Sequence, residues 1–305
     1  MAASIRAIKD RINSVSSMKK ITHAMELVSS SKFRRTRERA EARKAYTAYI
    51  ISSLQTIAAA VDAPQNTFLV KNGVEKDLYI VITADKGLAG GFNSNLLKYA
   101  QSLMNESGRP AAVLAVGNKS AEYFARRNNI EVLGTYTGKS ETPSLEFSTD
   151  IANTAMNLYK NKVVGNVYVV YNRFISVLSQ RPSHVQLFPL TADLTEVQDE
   201  VDSFGFEFPV STAPRVGKSG LIMTFEPDAE ELLDYLVPRY IINAIYGACI
   251  ENSAGEQAAR KTAMENATEN ADEMIANLSL SYSRARQAAI TQELTEIIAG
   301  ADAIG

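Results

Sequence analysis

Residues 1–63 contain neither proline nor glycine; the first proline is Pro64 and the first glycine Gly73. These two residues interrupt helices more reliably than any others, so a segment that omits both for this long is held to very few local structures. The other end repeats the pattern, with only Gly247 and Gly255 between Pro238 and Gly300, and all nine prolines lie between Pro64 and Pro238. A helix over residues 4–60 would be about 85 Å long at ~1.5 Å per residue, against roughly 11 to 12 residues for an ordinary helix. Helices of that length are coiled coils or rods. The punctuation thus predicts two helical ends flanking a broken middle.

Periodicity agrees. Ile5, Ile8, Ile12 and Val15 keep the three-four spacing of a coiled-coil seam, and Met18, Ile21, Met25 and Val28 resume it out of phase. This predicts a three-residue step that overwinds the coil. Residues 34–45 hold nothing apolar larger than alanine or threonine and predict a wet section, before Tyr46, Ile50, Leu54, Ile57 and Val61 form a new stripe. At the far end Leu233, Val237, Tyr240 and Ala244 open a stripe that Ala263, Ala267, Ala271, Met274, Leu278 and Ala285 continue. Pro238 predicts a kink or an earlier turn, with an uninterrupted rod over 239–299.

Charge sorts the ends. Residues 1–44 carry twelve Lys or Arg against four Asp or Glu, and residues 227–305 carry five against thirteen. Net charges of +8 and −8 on two long helices favour pairing them with each other. A hydrophobic share of 46% with 22% charged residues excludes disorder, and one cysteine excludes a disulfide scaffold. No stretch reaches the roughly 18 to 20 apolar residues of a membrane span, and the first residues lack the apolar block of a signal peptide. The expectation is a soluble chain kept in a cytoplasm-like compartment.

The middle alternates strand and helix: strand 78–83, a glycine-rich turn, helix 94–104, strand 111–116 and helix 119–127, an α/β pattern. Strands over 167–178 and 184–190 are expected to pair across a turn at 179–182. Residues 191–220 hold six acidic residues, punctuated by Gly205, Pro209, Pro214 and Gly217, and read as a loop. The expected division is a helix over 1–62, an α/β domain over 74–190, an acidic linker over 191–226 and a second helix over 227–305.

Candidate chemistry is sparse. Asp85-Lys-Gly-Leu-Ala-Gly-Gly-Phe92 follows a strand and precedes a helix, where an α/β sheet holds phosphate, but its spacing matches neither dinucleotide nor P-loop patterns. Gly134-Thr-Tyr-Thr-Gly138-Lys139-Ser140 is one residue short of a P-loop, and Gly217-Lys218-Ser219 has Thr212 where the first glycine belongs. The other reading of 85–92 is a tight strand-to-helix turn. His23, His184 and Cys249 assemble neither a catalytic triad nor a zinc set. The run from Lys32 to Lys44, with seven positive and two negative residues, fits a phosphate-tracking helix, a solvated face or a cationic collar passing through an acidic ring. The net charge of −2 and the acidic C-terminal helix weigh against the first, and residue chemistry does not rank the second and third.

Four segments carry a resemblance: Lys20-Ile-Thr-His-Ala-Met-Glu-Leu-Val28, Asp85-Lys-Gly-Leu-Ala-Gly-Gly91, Glu256-Gln-Ala-Ala-Arg260, and Arg286-Gln-Ala-Ala-Ile-Thr-Gln-Glu-Leu-Thr-Glu-Ile297. In order and approximate spacing they resemble the gamma subunits of F-type rotary ATP synthases, over essentially the whole chain. The resemblance implies an antiparallel coiled coil of the terminal helices with an inserted Rossmann-like α/β domain. It implies a non-catalytic central rotor shaft that couples ion flow across a membrane to ATP synthesis or hydrolysis. Implied partners are three alpha and three beta subunits, the epsilon subunit and the c-ring, with one copy of this chain per complex and contact with the membrane only through partners.

By the same resemblance the chain has no catalytic, cofactor or metal residue and no nucleic-acid partner. Met25 matches a methionine near the coupling lever of the beta subunit, with Lys20 and Glu26 nearby, and Arg260 matches an arginine implicated in coupling. Arg286, Gln287 and Thr291, with Glu293 beside them, match the segment that hydrogen-bonds a beta-subunit catch loop. His23 stands where the family often has lysine, which makes that charge pH-dependent. The 191–220 stretch looks longer than in compact bacterial members and lacks the cysteines of the chloroplast regulatory insertion, so dithiol switching is not expected. With no transit peptide, the expected location is the cytoplasmic face of a bacterial plasma membrane.

Overall fold

A computed structural model describes residues 2–58, 66–190, 226 and 228–302. The elements in chain order are α1 (Ala2–Ala58), β1 (Asp77–Ile82), α2 (Phe92–Ser107), β2 (Ala111–Val116), α3 (Asn118–Phe124), β3 (Glu131–Tyr136), α4 (Leu145–Lys160), β4 (Asn166–Phe174), β5 (Gln180–Phe188) and α5 (Ala229–Asp302). The chain forms two compact units, one of Met1–Ser30 with Arg260–Gly305 and one of Ser31–Ala259. Their boundaries cut across both long helices instead of falling at the helix ends. The acidic stretch expected to be a loop lies outside the described residues, as does Val61.

In the unit of Ser31–Ala259 the sheet order is β3-β2-β1-β4-β5, with β1 to β4 parallel and β5 antiparallel to β4. β1 is buried at all six positions, as a parallel strand covered on both faces must be. Alternate residues then feed two cores. Tyr79 and Val81 meet Leu96 and Met104 of α2 and Phe124 of α3. Leu78, Ile80 and Ile82 share the other core with Ile151 and Tyr159 of α4, Ile50 and Leu54 of α1, and Val237 and Ile241 of α5. Residues 31–58 of α1 and 229–259 of α5 are thus part of the unit that holds the sheet. Burying one such aliphatic side chain contributes about 1.5–3 kcal/mol.

Several expectations are corrected. β3 and α4 were not anticipated: β3 is an edge strand with Gly134 inside it and little alternation, so its pattern is weak. α4 had a start signal, because the Ser144 hydroxyl oxygen accepts from Phe147 N at 3.1 Å as an N-cap directly after Pro143. Ser144→Ala is expected to cost about 1 kcal/mol in urea unfolding of the full chain. The β4–β5 turn falls at 175–179, and Pro182 sits within β5 opposite Asn172, which an edge strand tolerates. Pro238 does not start a new rod, because α5 runs through it from Ala229. The roughly 3 kcal/mol such a proline costs is offset by burial of Leu233, Val237, Tyr240 and Ile241 around it. Tyr46 is exposed, whereas the neighbouring Thr47 is buried. The wet section at 34–45 keeps a narrow seam through Thr36 and Ala40, both buried.

In the other unit α1 and α5 lie antiparallel, with the Lys19 ammonium paired to Asp272 and the hydroxyls of Thr22 and Thr268 2.7 Å apart. Covered positions along the seam of α1 are Ile8, Ile12, Val15, Lys19, Thr22, Glu26 and Ser29, a four-three alternation, with Ile5, Ser16 and Met25 also partly covered beside it. On α5 they are Met264, Thr268, Ala271, Ile275, Leu278, Tyr282, Ala285 and Ala289 in the same rhythm. The predicted three-residue step is therefore absent. Polar residues continue the seam, and Met18, Ile21 and Val28 face outward at 60%, 61% and 53% exposure. Polar seam residues specify register at some cost in stability, and the Lys19–Asp272 and Thr22–Thr268 pairs join the two helices here. Of the expected α5 stripe, Ala271, Leu278 and Ala285 hold the seam, Ala263 and Ala267 flank it, and Met274 is exposed.

Candidate functional sites: the strand-end crevice and the outward helix faces

A doubly wound sheet binds ligands beyond the carboxyl ends of its strands where the order reverses, which here is between β1 and β4. That crevice is filled from within the chain. A Cβ on Gly255 of α5 would lie 3.0 Å from the Phe92 ring at the start of α2. Asn172 of β4 donates through Nδ2 to Phe92 O at 3.2 Å, and its backbone N–H donates to Asn252 Oδ1 at 3.4 Å. Ser253 Oγ donates to Glu141 O at 2.9 Å, so residues 252–255 of α5 sit where a dinucleotide would enter.

The glycine-rich loop is also occupied. Asp85 Oδ1 accepts from the backbone N–H groups of Asn118 and Gly138, each at 3.0 Å, and Oδ2 accepts from Ser140 N at 2.9 Å. Asp85 N donates to Ser140 Oγ at 2.8 Å. Burial alone would raise the Asp85 carboxyl, but the bonds from Gly138, Ser140 and Asn118 outweigh it and hold the group below its ordinary value. The adjacent Glu141 is likewise held low: burial opposes ionisation, and Lys32 of α1 at 2.7 Å and Lys86 at 3.1 Å outweigh it. Both groups have folded-state pKa values below those of the unfolded chain. Their contribution is complete above the unfolded carboxylate range near ~4 and is lost as pH falls through the lower folded values. A urea-midpoint profile is expected to be flat above pH ~5 and to fall below ~4, with a shallower fall in Glu141→Gln.

The remaining reactive groups are structural. Burial pushes the Cys249 thiol up to about 12, so no thiolate nucleophile is available there. His184 Nδ1 lies 2.7 Å from the Tyr99 hydroxyl, on an aromatic cluster with Tyr168. Among the described residues no three His, Cys, Asp or Glu side chains are placed to hold a metal, and no helix is long and apolar enough to cross a membrane. A cavity of about 40 Å³ between α1, α5 and the sheet, lined by Arg43, Thr47, Tyr240, Asn243 and Glu251, has room for water but not for a metabolite. Arg43 fills much of the space beside it, because Gly247 leaves its guanidinium room to donate to Asn243 O at 2.8 Å.

The eight residues singled out for partner contact separate into kinds. Lys20, Arg286, Gln287, Thr291 and Glu293 are exposed, and Met25 is half-buried at the seam's margin. Glu26 lies in the seam, 3.2 Å from His23 Nδ1, and Arg260 is only 5% exposed. Sequence reasoning missed the outward direction of Met18, Ile21 and Val28, and it missed Ile290, Leu294, Ile297 and Ile298, all exposed on the last turns of α5. The i, i+4, i+7, i+8 spacing of that second set was the available signal. In the basic run, Arg34 and Arg37 pair with Glu38 and Glu41 one turn on, which partly neutralises the face a nucleic acid would need.

The fold is thus a doubly wound α/β domain carried on two long helices, one of which closes the crevice where such a domain takes a ligand. A profile of the family described as ATP synthase matches residues 4–304. The sodium-ion-specific ATP synthase gamma chain of Acetobacterium woodii and the ATP synthase gamma chain of Alkaliphilus metalliredigens are 40% and 39% identical over 304 residues, each match covering all of both chains. The chain belongs to the ATP synthase gamma-chain family. A structure of the rotor and one of the OSCP/F1/c-ring assembly of the Euglena gracilis mitochondrial ATP synthase share the fold. They have TM-scores of 0.66 and 0.68 at 20% and 21% identity, covering 95% and 100% of this chain and 100% and 95% of theirs. It is accordingly a non-catalytic subunit, the central rotor shaft of an ATP synthase.

Proposed function

We propose that this shaft couples to the catalytic ring through the outward faces of its helix pair. The observation that supports this reading is the inversion on α1, where polar Lys19, Thr22, Glu26 and Ser29 occupy the seam while Met18, Ile21 and Val28 are turned outward. Apolar side chains left outside a self-sufficient helix pair mark an interaction surface. On this reading Lys20 and Met25 meet the lever of a beta subunit, and Arg286, Gln287, Thr291 and Glu293 meet its catch loop. Glu26, being covered, acts by fixing the seam, and Arg260 acts in coupling from a buried position. One copy serves three alpha and three beta subunits, the other contacts being the epsilon subunit and the c-ring. The complex is placed peripherally at the cytoplasmic face of a bacterial plasma membrane.

The test is ATPase activity of candidate alpha and beta subunits isolated with and without this chain. Copurification at one copy per three of each, with turnover that depends on the chain and falls at least tenfold when Arg286, Gln287 and Thr291 become alanine together, is the expected result. A folded chain that neither joins the complex nor changes turnover would sink the reading.

A further inference from the structure

The donors around Asp85 come from separate strand-end segments: Asn118 after β2, and Gly138 and Ser140 after β3. The carboxylate comes from a third, after β1. Both of its oxygens are used, two amides on Oδ1 and one on Oδ2, a pattern that suits a planar group with two equivalent acceptors. We propose that these amides form a carboxylate cradle whose resident is the chain's own Asp85, and that a small free monocarboxylate binds there once this side chain is cut back.

The cradle does not depend on its resident for shape. Gly117 N donates to Tyr136 O at 2.8 Å, Ser120 N donates to Thr83 Oγ1 at 2.8 Å, and Lys119 N donates to Ala84 O at 3.2 Å. These bonds tie the ends of β1, β2 and β3 together without Asp85. Glu141, next to the donor Ser140 in sequence, is paired with Lys32 and Lys86, which offset its charge toward an incoming anion. The space also sets the size of the visitor. Asp85→Ala removes a group the size of formate, and Asp85→Gly removes one the size of acetate.

The experiment is thermal unfolding of the full chain at neutral pH and constant ionic strength, with formate, acetate or chloride as the varied anion. Asp85→Ala is expected to lower the midpoint by about 4 to 8 °C, from amides left without an ionised acceptor. Formate should restore more than half of that loss with a saturable dose dependence, chloride none, and the wild-type chain should move by less than about 1 °C. Asp85→Gly should accept acetate as well, whereas Asp85→Asn, which keeps the space filled, should respond to neither. An Asp85→Ala chain as stable as the wild type, or one that formate stabilises no more than it does Asp85→Asn, overturns the proposal. If Asp85→Ala does not fold in chloride, refolding from urea decides: recovery in formate supports the cradle, and equal failure in both salts refutes it.

Discussion

Gly117→Ala is expected to cost about 4 kcal/mol or more, a large fraction of the ~5–15 kcal/mol that holds an ordinary domain folded. Gly117 has φ 90° and ψ 148°, a combination that side-chain-bearing residues rarely adopt and that costs on the order of 1–3 kcal/mol when forced. A Cβ there would also lie 2.3 Å from Thr83 O and 2.9 Å from Thr83 Oγ1. Thr83 has nowhere cheap to go: its N–H and hydroxyl both donate to Val116 O, and its hydroxyl accepts from Ser120 N. Moving it breaks a buried network in which each bond is worth about 1 kcal/mol. The measurement is the urea midpoint and slope for the full chain. A loss below about 1 kcal/mol would mean that the strand ends can part without penalty, and the rigid cradle beside Asp85 would be lost with that rigidity.

How much of this was legible in the sequence depended on whether a signal was local. The two long helices follow from missing breakers, and β1 and β2 from short apolar runs, because backbone propensity and burial on both faces act on the residues that carry them. The phase of the α1 seam was not legible. Met18, Ile21 and Val28 are more hydrophobic than Lys19, Thr22 and Ser29 and match a seam better, and only α5 shows which set is covered. Asp272 and Thr268 supply the partners that make a polar seam tolerable. In a chain that works inside an assembly, apolar residues serve two sets of partners, and periodicity cannot say which set is its own. The closed crevice was invisible for a related reason: Gly255 reads as a helix breaker until Phe92, over 160 residues away in sequence, is seen against it. Asp85 was noticed as part of a glycine-rich turn, but the amides it binds belong to loops 33 to 55 residues further on.

Replacing Ile21 and Val28 together by aspartate is expected to separate stability from coupling. Both side chains are more than half exposed, so each change should alter the unfolding free energy of the isolated chain by no more than about 0.5 kcal/mol. Val15→Ala, in the covered seam, should cost more by comparison, because a buried aliphatic group is lost. The assembly should respond in the opposite order. If the outward stripe seats against the catalytic ring, two carboxylates placed on an apolar contact must be desolvated without a partner, and losses of 2 kcal/mol or more are the usual scale, about 30-fold in affinity or turnover. Unfolding curves on the isolated chain and ATPase assays on reconstituted complexes supply the two readouts. A double mutant that is stable alone and inactive in the complex assigns the stripe to a partner. If it is unstable alone, the stripe belongs to the chain's own core and the polar seam is in the wrong register. If it is stable alone and fully active in the complex, Met18, Ile21 and Val28 face only water, and the coupling surface must lie on the last turns of α5.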